Sequence, residues 1–124
     1  MTKRLILVVD DDMAIRDFIT MALQEEGYEV ATAEDGNAAL RLATERQPTL
    51  ILLDMRMPRM DGATFIQKYK QIASAHAPIV VLTAGREVTQ SAESLGVNGF
   101  LPKPFNLDEL LDLVEHYAPS NPLV

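Results

Sequence analysis

The sequence is notable first for the residues that it lacks. None of its 124 residues is cysteine, which excludes disulfides and thiolate metal sites and is compatible with a reducing compartment. Basic residues are few: 11 lysines and arginines against 18 acids give a net charge of −7, and none of the basic residues form the cluster that a nucleic-acid backbone requires. Apolar runs are too short for a signal peptide or a membrane span. We therefore expect a soluble cytoplasmic protein that binds neither nucleic acid nor membranes.

The length and the apolar content, 48%, fit one globular domain with a substantial core. We expect this domain to cover residues 1–118. Residues 119–124 contain two prolines, at positions 119 and 122, and are expected to form a C-terminal tail or the start of a linker.

Hydrophobic residues alternate between two patterns along the chain. Short apolar runs predict five strands, at Leu5–Val9, Tyr28–Thr32, Leu50–Leu53, Ile79–Leu82 and Gly99–Leu101. Stripes with helical spacing separate them, such as Ile15, Phe18, Ile19, Ala22 and Leu23. A shorter helix is predicted at Val88–Leu95, and a last helix opens at Asn106 with Glu109 as its capping-box partner and Leu107, Leu110, Leu111 and Val114 inward. This alternation predicts an α/β fold with a parallel sheet covered by helices on both faces.

The carboxyl ends of the predicted strands carry a distinct set of polar residues. They are acids, a hydroxyl and an amine: Asp10, Asp11, Asp12, Asp54, Thr83 and Lys103. In parallel sheets, sites form outside these strand ends, where the strand order switches. Each residue alone has an ordinary structural explanation, and Asp12 is expected to cap the first helix. Their coincidence at one edge of the sheet is what indicates a functional site.

Carboxylates packed together repel unless a cation neutralises them. Oxygen ligands without histidine or cysteine suit Mg²⁺. A metal, a lysine and a hydroxyl are also what a transferring phosphoryl group needs around its oxygens, and a carboxylate can form an acyl phosphate. The sequence therefore predicts phosphoryl transfer to Asp54.

Four motifs contain the carboxyl ends of predicted strands: "ILVVDDD", "LLDMRMPRMDG", "VVLTA" and "GFLPKPF". Their order and approximate spacing are those of the receiver domains of two-component signalling. The chain closely resembles these domains from about Arg4 to Tyr117. The resemblance implies a five-stranded flavodoxin-like sheet, (βα)5, with strand order 2-1-3-4-5.

The resemblance also implies a role for each matching position. Asp54 matches the phosphoacceptor, and Asp10, Asp11 and the backbone carbonyl of Arg56 match the other protein groups that hold Mg²⁺. Thr83, with the amide of Ala84, and Lys103 match the groups that contact phosphoryl oxygens. The Lys103-Pro104 bond is expected to be cis, and Gly62 to form a tight turn.

The implied partners are a histidine kinase or phosphotransfer protein, and a downstream protein or effector domain. Inward movement of Thr83 on phosphorylation would let Phe100 turn in and would change the face formed by the fourth helix, the fifth strand and the last helix. We expect Arg86, Val88, Phe100 and Phe105 on that face. Such a protein is not an enzyme in the usual sense, since it catalyses only its own phosphorylation and dephosphorylation.

The sequence bears on three alternative functions. A haloacid-dehalogenase-type phosphohydrolase needs a second acid two residues after its nucleophile, but Met55 and Arg56 follow Asp54. Mononucleotide binding is disfavoured because no P-loop or glycine-rich turn follows the first strand. A receiver-like binding module that works without phosphorylation stays open.

Overall fold

Five parallel strands form the centre of the protein. The computed structural model describes residues 4–57, 59–72, 75, 77–83, 85, 90 and 92–119. The strands in it are β1 (Leu5–Val9), β2 (Glu29–Ala33), β3 (Leu50–Asp54), β4 (Ile79–Thr83) and β5 (Gly99–Pro102). They pair in parallel in the order β2-β1-β3-β4-β5. The predicted sheet and its strand order are confirmed.

Helices cover both faces of this sheet. Those with complete bounds are α1 (Met13–Glu25), α2 (Gly36–Arg46), α3 (Gly62–Lys70) and the C-terminal helix (Leu107–Tyr117). Of the short helix predicted at 88–95, residues 90 and 92–94 are helical, and 88, 89 and 91 lie outside the described residues. Across the described part of the chain, no helix has the length and apolarity needed to span a bilayer.

The three central strands are buried along their whole length, which explains their uniformly apolar sequences. Alternate side chains of β1 enter two separate cores. Leu5, Leu7 and Val9 pack with α2 and α3, and Ile6 and Val8 pack with α1 and the C-terminal helix. A strand held on both faces and both edges is a rigid support for whatever follows it.

Two helices begin at capping residues that the sequence predicted. The Asp12 carboxylate accepts the amide N–H groups of Ala14 and Ile15 at 2.9 and 3.4 Å, which confirms its role as the cap of α1. Asn106 and Glu109 form the predicted capping box at the start of the C-terminal helix.

Several strand boundaries differ by one residue from the predicted ones. β3, β4 and β5 each extend one residue further, so that Asp54 pairs with Leu82, and Thr83 with Pro102. β2 begins at Glu29 because the amide of Tyr28 donates to the carbonyl of Leu23 and closes the end of α1. Asp54, the predicted phosphoacceptor, and Thr83, the predicted hydroxyl group, are therefore strand residues and not loop residues.

Three predicted placements of apolar side chains are wrong. Phe18 and Leu107 are 43% and 45% exposed, since Phe18 lies at the margin of its stripe and Leu107 is the first residue of its helix. Phe105 does not share a face with Phe100. Its ring lies 6.3 Å from that of Phe18 on the α1 side, whereas Phe100 packs on the side of α2 and α3. Arg86 and Val88 of the same predicted face lie outside the described residues.

Candidate functional site

Three carboxylates meet where the strand order switches. Asp10 directly follows β1, Asp54 ends the neighbouring strand β3, and the chain turns from β1 into α1 through Asp11. One ligand oxygen from each lies within 4.8 Å of the others. The structure thus brings together the three acids that the sequence predicted, at the edge where open α/β sheets form their sites.

Asp10 is held rigidly and is fully buried. Its amide donates to the carbonyl of Ala33 at 3.1 Å, and its own carbonyl accepts Nη1 of Arg16 at 2.7 Å. One side-chain oxygen accepts the amide of Asp12 at 2.9 Å, and the other accepts Nζ of Lys103 at 3.0 Å. Each part of this residue has a defined partner, and Asp11 beside it is exposed.

Asp54 is also buried, with 9% of its surface exposed, but it has weaker partners. Its Oδ1 accepts the amide of Arg56 at 3.3 Å and lies 3.8 Å from Nζ of Lys103. Burial, together with the negative charge of Asp10, raises the pKa of Asp54 to about 6. Lys103 and the Arg56 amide oppose this rise without cancelling it. With three clustered carboxylates and one lysine beside them, the site also carries an excess of negative charge.

Lys103 and Thr83 complete the polar set. Thr83 is 3% exposed, and its carbonyl accepts the amide of Lys103 at 2.6 Å, which fixes the chain entering the Lys103-Pro104 bond. That bond is cis, as predicted. The lysine ammonium lies closer to Asp10 than to Asp54, at 3.0 against 3.8 Å. Ala84, whose amide was predicted to contribute, lies outside the described residues.

The loop after Asp54 returns to the sheet through a close contact. The amide of Gly62 donates to the carbonyl of Met55 at 3.0 Å, and a Cβ at Gly62 would lie 2.7 Å from Cα of Met55. No side chain fits there without moving backbone, so the glycine predicted for this tight turn is required by the packing.

Sequence reasoning missed three residues near the site. Arg16 supports the carbonyl of Asp10, and Arg59 pairs with Asp35 across two loops. Arg16 stands four residues after the predicted cap Asp12, so its position on the first turns of α1 was foreseeable. Nothing in the sequence signalled the contact between Arg59 and Asp35, which are 24 residues apart.

The donor set fits Mg²⁺. All three clustered side chains offer oxygen, none offers nitrogen or sulfur, and two of the three are buried. After burial, which is the largest cause, the charges of Asp10 and Asp11 contribute to the raised pKa of Asp54, and a divalent cation would offset that negative charge. The backbone carbonyl of Arg56 stays a predicted fourth ligand, two residues beyond Asp54.

Comparison with known proteins assigns the family. The model of the response regulator receiver domain matches residues 6–115. The chain belongs to this family, whose members receive a phosphoryl group in two-component signalling and serve as signalling modules. The predicted boundary of the domain at residue 118, and the tail after it, stay predictions.

Individual relatives agree with this assignment. Response regulator MprA of Mycolicibacterium vanbaalenii is 42% identical over 108 residues, covering 86% of this chain and 46% of that protein. Sporulation initiation phosphotransferase F of Bacillus subtilis is 36% identical over 121 residues, covering 96% of this chain and 97% of that one. The chain thus spans about half the length of the first relative and nearly all of the second.

A solved structure shows the same fold with a metal. It is the receiver domain of the sensor histidine kinase PA1611 of Pseudomonas aeruginosa, with a magnesium ion coordinated in its active-site cleft. It matches with a TM-score of 0.85 and 29% identity, over 94% of this chain and 98% of that one.

We predict that Asp54→Asn stabilises the fold in metal-free buffer. The folded state binds the Asp54 proton more tightly than the unfolded state, so the ionised carboxylate costs stability increasingly from about pH 4 to pH 6 and fully above that range. At neutral pH the variant should unfold with a free energy about 1–2 kcal/mol higher, less than the full pKa shift converts to, because the site is partly solvated. Near pH 4 the gain should vanish. Urea denaturation at both pH values measures it.

The control for this prediction is Asp61→Asn. It makes the same chemical change at an exposed carboxylate that caps α3 through the amide of Thr64, and asparagine caps equally well. Its effect should stay within about 0.5 kcal/mol at both pH values. Equal stability of Asp54→Asn and the native protein at neutral pH would show that the charge on Asp54 carries no cost.

Proposed function

We propose that Asp54 is the phosphoacceptor of this receiver domain. The observation that carries the proposal is the position of Asp54: a buried carboxylate at the end of a fully buried strand, among Asp10, Asp11 and Lys103. A nucleophile on a rigid strand keeps its orientation toward the reacting atom, which reduces the entropy cost of the reaction. Its weak hydrogen bonding leaves oxygen lone pairs available for attack.

The proposed metal is Mg²⁺, held by Asp10, Asp11, Asp54 and the backbone carbonyl of Arg56. When bound, the ion supplies positive charge that offsets repulsion between Asp54 and an anionic phosphoryl group. The oxygen donor set supports this assignment, and the magnesium in the related PA1611 receiver domain adds to it. Once deprotonated, Asp54 could serve both as a ligand of the ion and as the nucleophile.

The proposed reaction is a phosphoryl transfer between two protein side chains. An oxygen of Asp54 attacks the phosphorus of a phosphohistidine, the phosphorus–nitrogen bond breaks, and its electron pair returns to the imidazole. The product is an acyl phosphate on Asp54, which water later hydrolyses to inorganic phosphate and the free carboxylate. A small phosphodonor can replace the phosphohistidine. The chain would thus catalyse only its own phosphorylation and dephosphorylation.

Lys103 and Thr83 would contact the transferred phosphoryl oxygens. In the structure Lys103 is paired with Asp10 at 3.0 Å and lies 3.8 Å from Asp54, so a short movement of the ammonium suffices to reach an oxygen on Asp54. Thr83 lies on the strand next to β3, one residue beyond the partner of Asp54. Both groups donate hydrogen bonds to developing negative charge, which stabilises the transition state.

The proposed partners are a histidine kinase or phosphotransfer protein on the donor side and a downstream protein or effector domain on the output side. The proposal puts this exchange in the cytoplasm, as the family resemblance implies. The net charge of −7 supports protein partners over direct contact of this domain with nucleic acid. On the output side the proposal involves β5, with the half-buried Phe100, and the C-terminal helix. A second candidate, a binding module that works without phosphorylation, is separated from this one by the following experiment.

We predict that acetyl phosphate with Mg²⁺ adds one phosphoryl group to the native protein and none to Asp54→Asn. The asparagine amide has almost no nucleophilic oxygen for phosphorus, while its shape matches the carboxylate. Intact-mass spectrometry measures the gain, and a sample with chelator serves as the metal control. Omission of the metal should abolish the gain in the native protein. A native protein that binds Mg²⁺ but gains no mass with acetyl phosphate or a phosphorylated kinase would favour the second candidate.

We predict a coupled movement of Phe100 on activation. Thr83 would move toward a phosphoryl oxygen, and the space that it leaves would accept the ring of Phe100, which is now only half-buried. Crystals with and without beryllofluoride, a phosphoryl mimic, should show two rotamers of Phe100. In Thr83→Ala the ring should lose this dependence. One unchanged rotamer in both native crystals would contradict the coupling.

A further inference from the structure

An ion pair fastens the loop after the proposed acceptor to the start of α2. Both Nε and Nη2 of Arg59 donate to Oδ2 of Asp35, at 2.9 and 2.7 Å. The other oxygen of Asp35 accepts the amide of Ala38 at 2.9 Å and caps α2. The Asp35 side chain is only 10% exposed, whereas Arg59 is 59% exposed. A mostly buried carboxylate is therefore satisfied on both oxygens, one by the helix and one by the loop.

The backbone of Arg59 indicates that this contact shapes the loop. Its φ is +66°, in the left-handed region that residues other than glycine seldom adopt. Such a conformation persists only where surrounding contacts enforce it. The pair with Asp35 is one such contact. The next residue, Met60, supplies another. Its side chain is buried against Gly36, so closely that a Cβ added to Gly36 would lie 2.7 Å from Cγ of Met60.

These contacts lie close in sequence to the proposed metal ligand. The amide of Arg56 is held by Asp54 at 3.3 Å, and the loop closes at Gly62 on the carbonyl of Met55. Only residues 57 and 58 separate Arg56 from Arg59. Fixing both sides of so short a segment limits the directions in which the Arg56 carbonyl can point.

We infer that Arg59 and Asp35 are positioning residues for the Mg²⁺ site, because their ion pair holds the loop that presents the Arg56 carbonyl. This inference rests on the proposed function, since it concerns affinity for the proposed metal. Neither residue contacts the ion. Groups that hydrogen-bond a metal ligand directly change metal affinity by about 10–100-fold when they are removed, and this pair acts one step further away, so we expect a loss of about threefold to tenfold.

Two substitutions that remove opposite charges distinguish positioning from long-range electrostatics. Arg59→Gln removes a cation, and Asp35→Asn removes an anion while keeping a good helix cap. If the two residues acted only through long-range electrostatics, Arg59→Gln would bind Mg²⁺ more tightly and Asp35→Asn less tightly. Positioning predicts that both variants bind about threefold to tenfold more weakly. Isothermal titration of the full chain with MgCl₂ measures the dissociation constants directly.

Two further variants separate positioning from general stability. Arg59→Gly removes the ion pair but adopts a φ of +66° without steric cost, so its urea denaturation should stay close to that of the native protein while its Mg²⁺ affinity falls. Arg46→Gln is the matched control. It breaks the Arg46–Glu29 ion pair at the opposite end of α2, where β2 begins, and should bind Mg²⁺ like the native protein or slightly more tightly.

Each outcome bears on one claim. Weaker binding in Arg59→Gln, Arg59→Gly and Asp35→Asn, with Arg46→Gln unaffected, supports the inference. If the native protein binds Mg²⁺, but the affinities of Arg59→Gln and Asp35→Asn change in opposite directions or do not change, the inference is overturned and the proposed function stays intact. A native protein that does not bind Mg²⁺ overturns the metal site itself, and the positioning role with it.

Discussion

The burial of Asp54 beside a second buried carboxylate, Asp10, is the constraint on which the site depends. Two buried carboxylates lie on adjacent strand ends, and one lysine, nearer to Asp10, is shared between them. Burial strengthens the repulsion between them because little water screens it. A protein without a use for this arrangement would lose stability from it for no benefit. A divalent cation held by these residues would attract both carboxylates and offset their mutual repulsion, so the same negative charge would favour its binding.

The fold makes this arrangement possible by holding the acids where they cannot separate. β1 and β3 are neighbours, both are buried on two faces, and their carboxyl ends stop at the same edge. Backbone contacts to Ala33 and Arg16 hold Asp10, and the pairing of Asp54 with Leu82 holds the acceptor. The loop that follows is bound at Gly62 and at Arg59. The crowded carboxylates are thus supported by the buried central strands of the sheet.

The strands, the sheet and the clustering of acids at one edge could be predicted from sequence, because they follow from apolar runs and from one rule about strand ends. Contacts between distant side chains could not. That Phe105 packs with Phe18 and not beside Phe100 depends on how the chain turns after β5. Lys103 lies nearer to Asp10 than to Asp54 by less than an ångström, and a sequence pattern cannot predict so small a difference. The pair of Arg59 and Asp35 joins two loops, and loops carry no periodic signal.

The most direct test of this account is the titration of Asp54 itself. Carbon-13 NMR of aspartate-labelled protein in metal-free buffer follows its carboxyl carbon, assigned by the loss of that signal in Asp54→Asn. The account predicts a midpoint near pH 6, which moves lower in Asp10→Asn because the Coulombic contribution of Asp10 is gone. A midpoint near the ordinary value of 3.8, unchanged by Asp10→Asn, would contradict the claim that burial and unneutralised charge define this site.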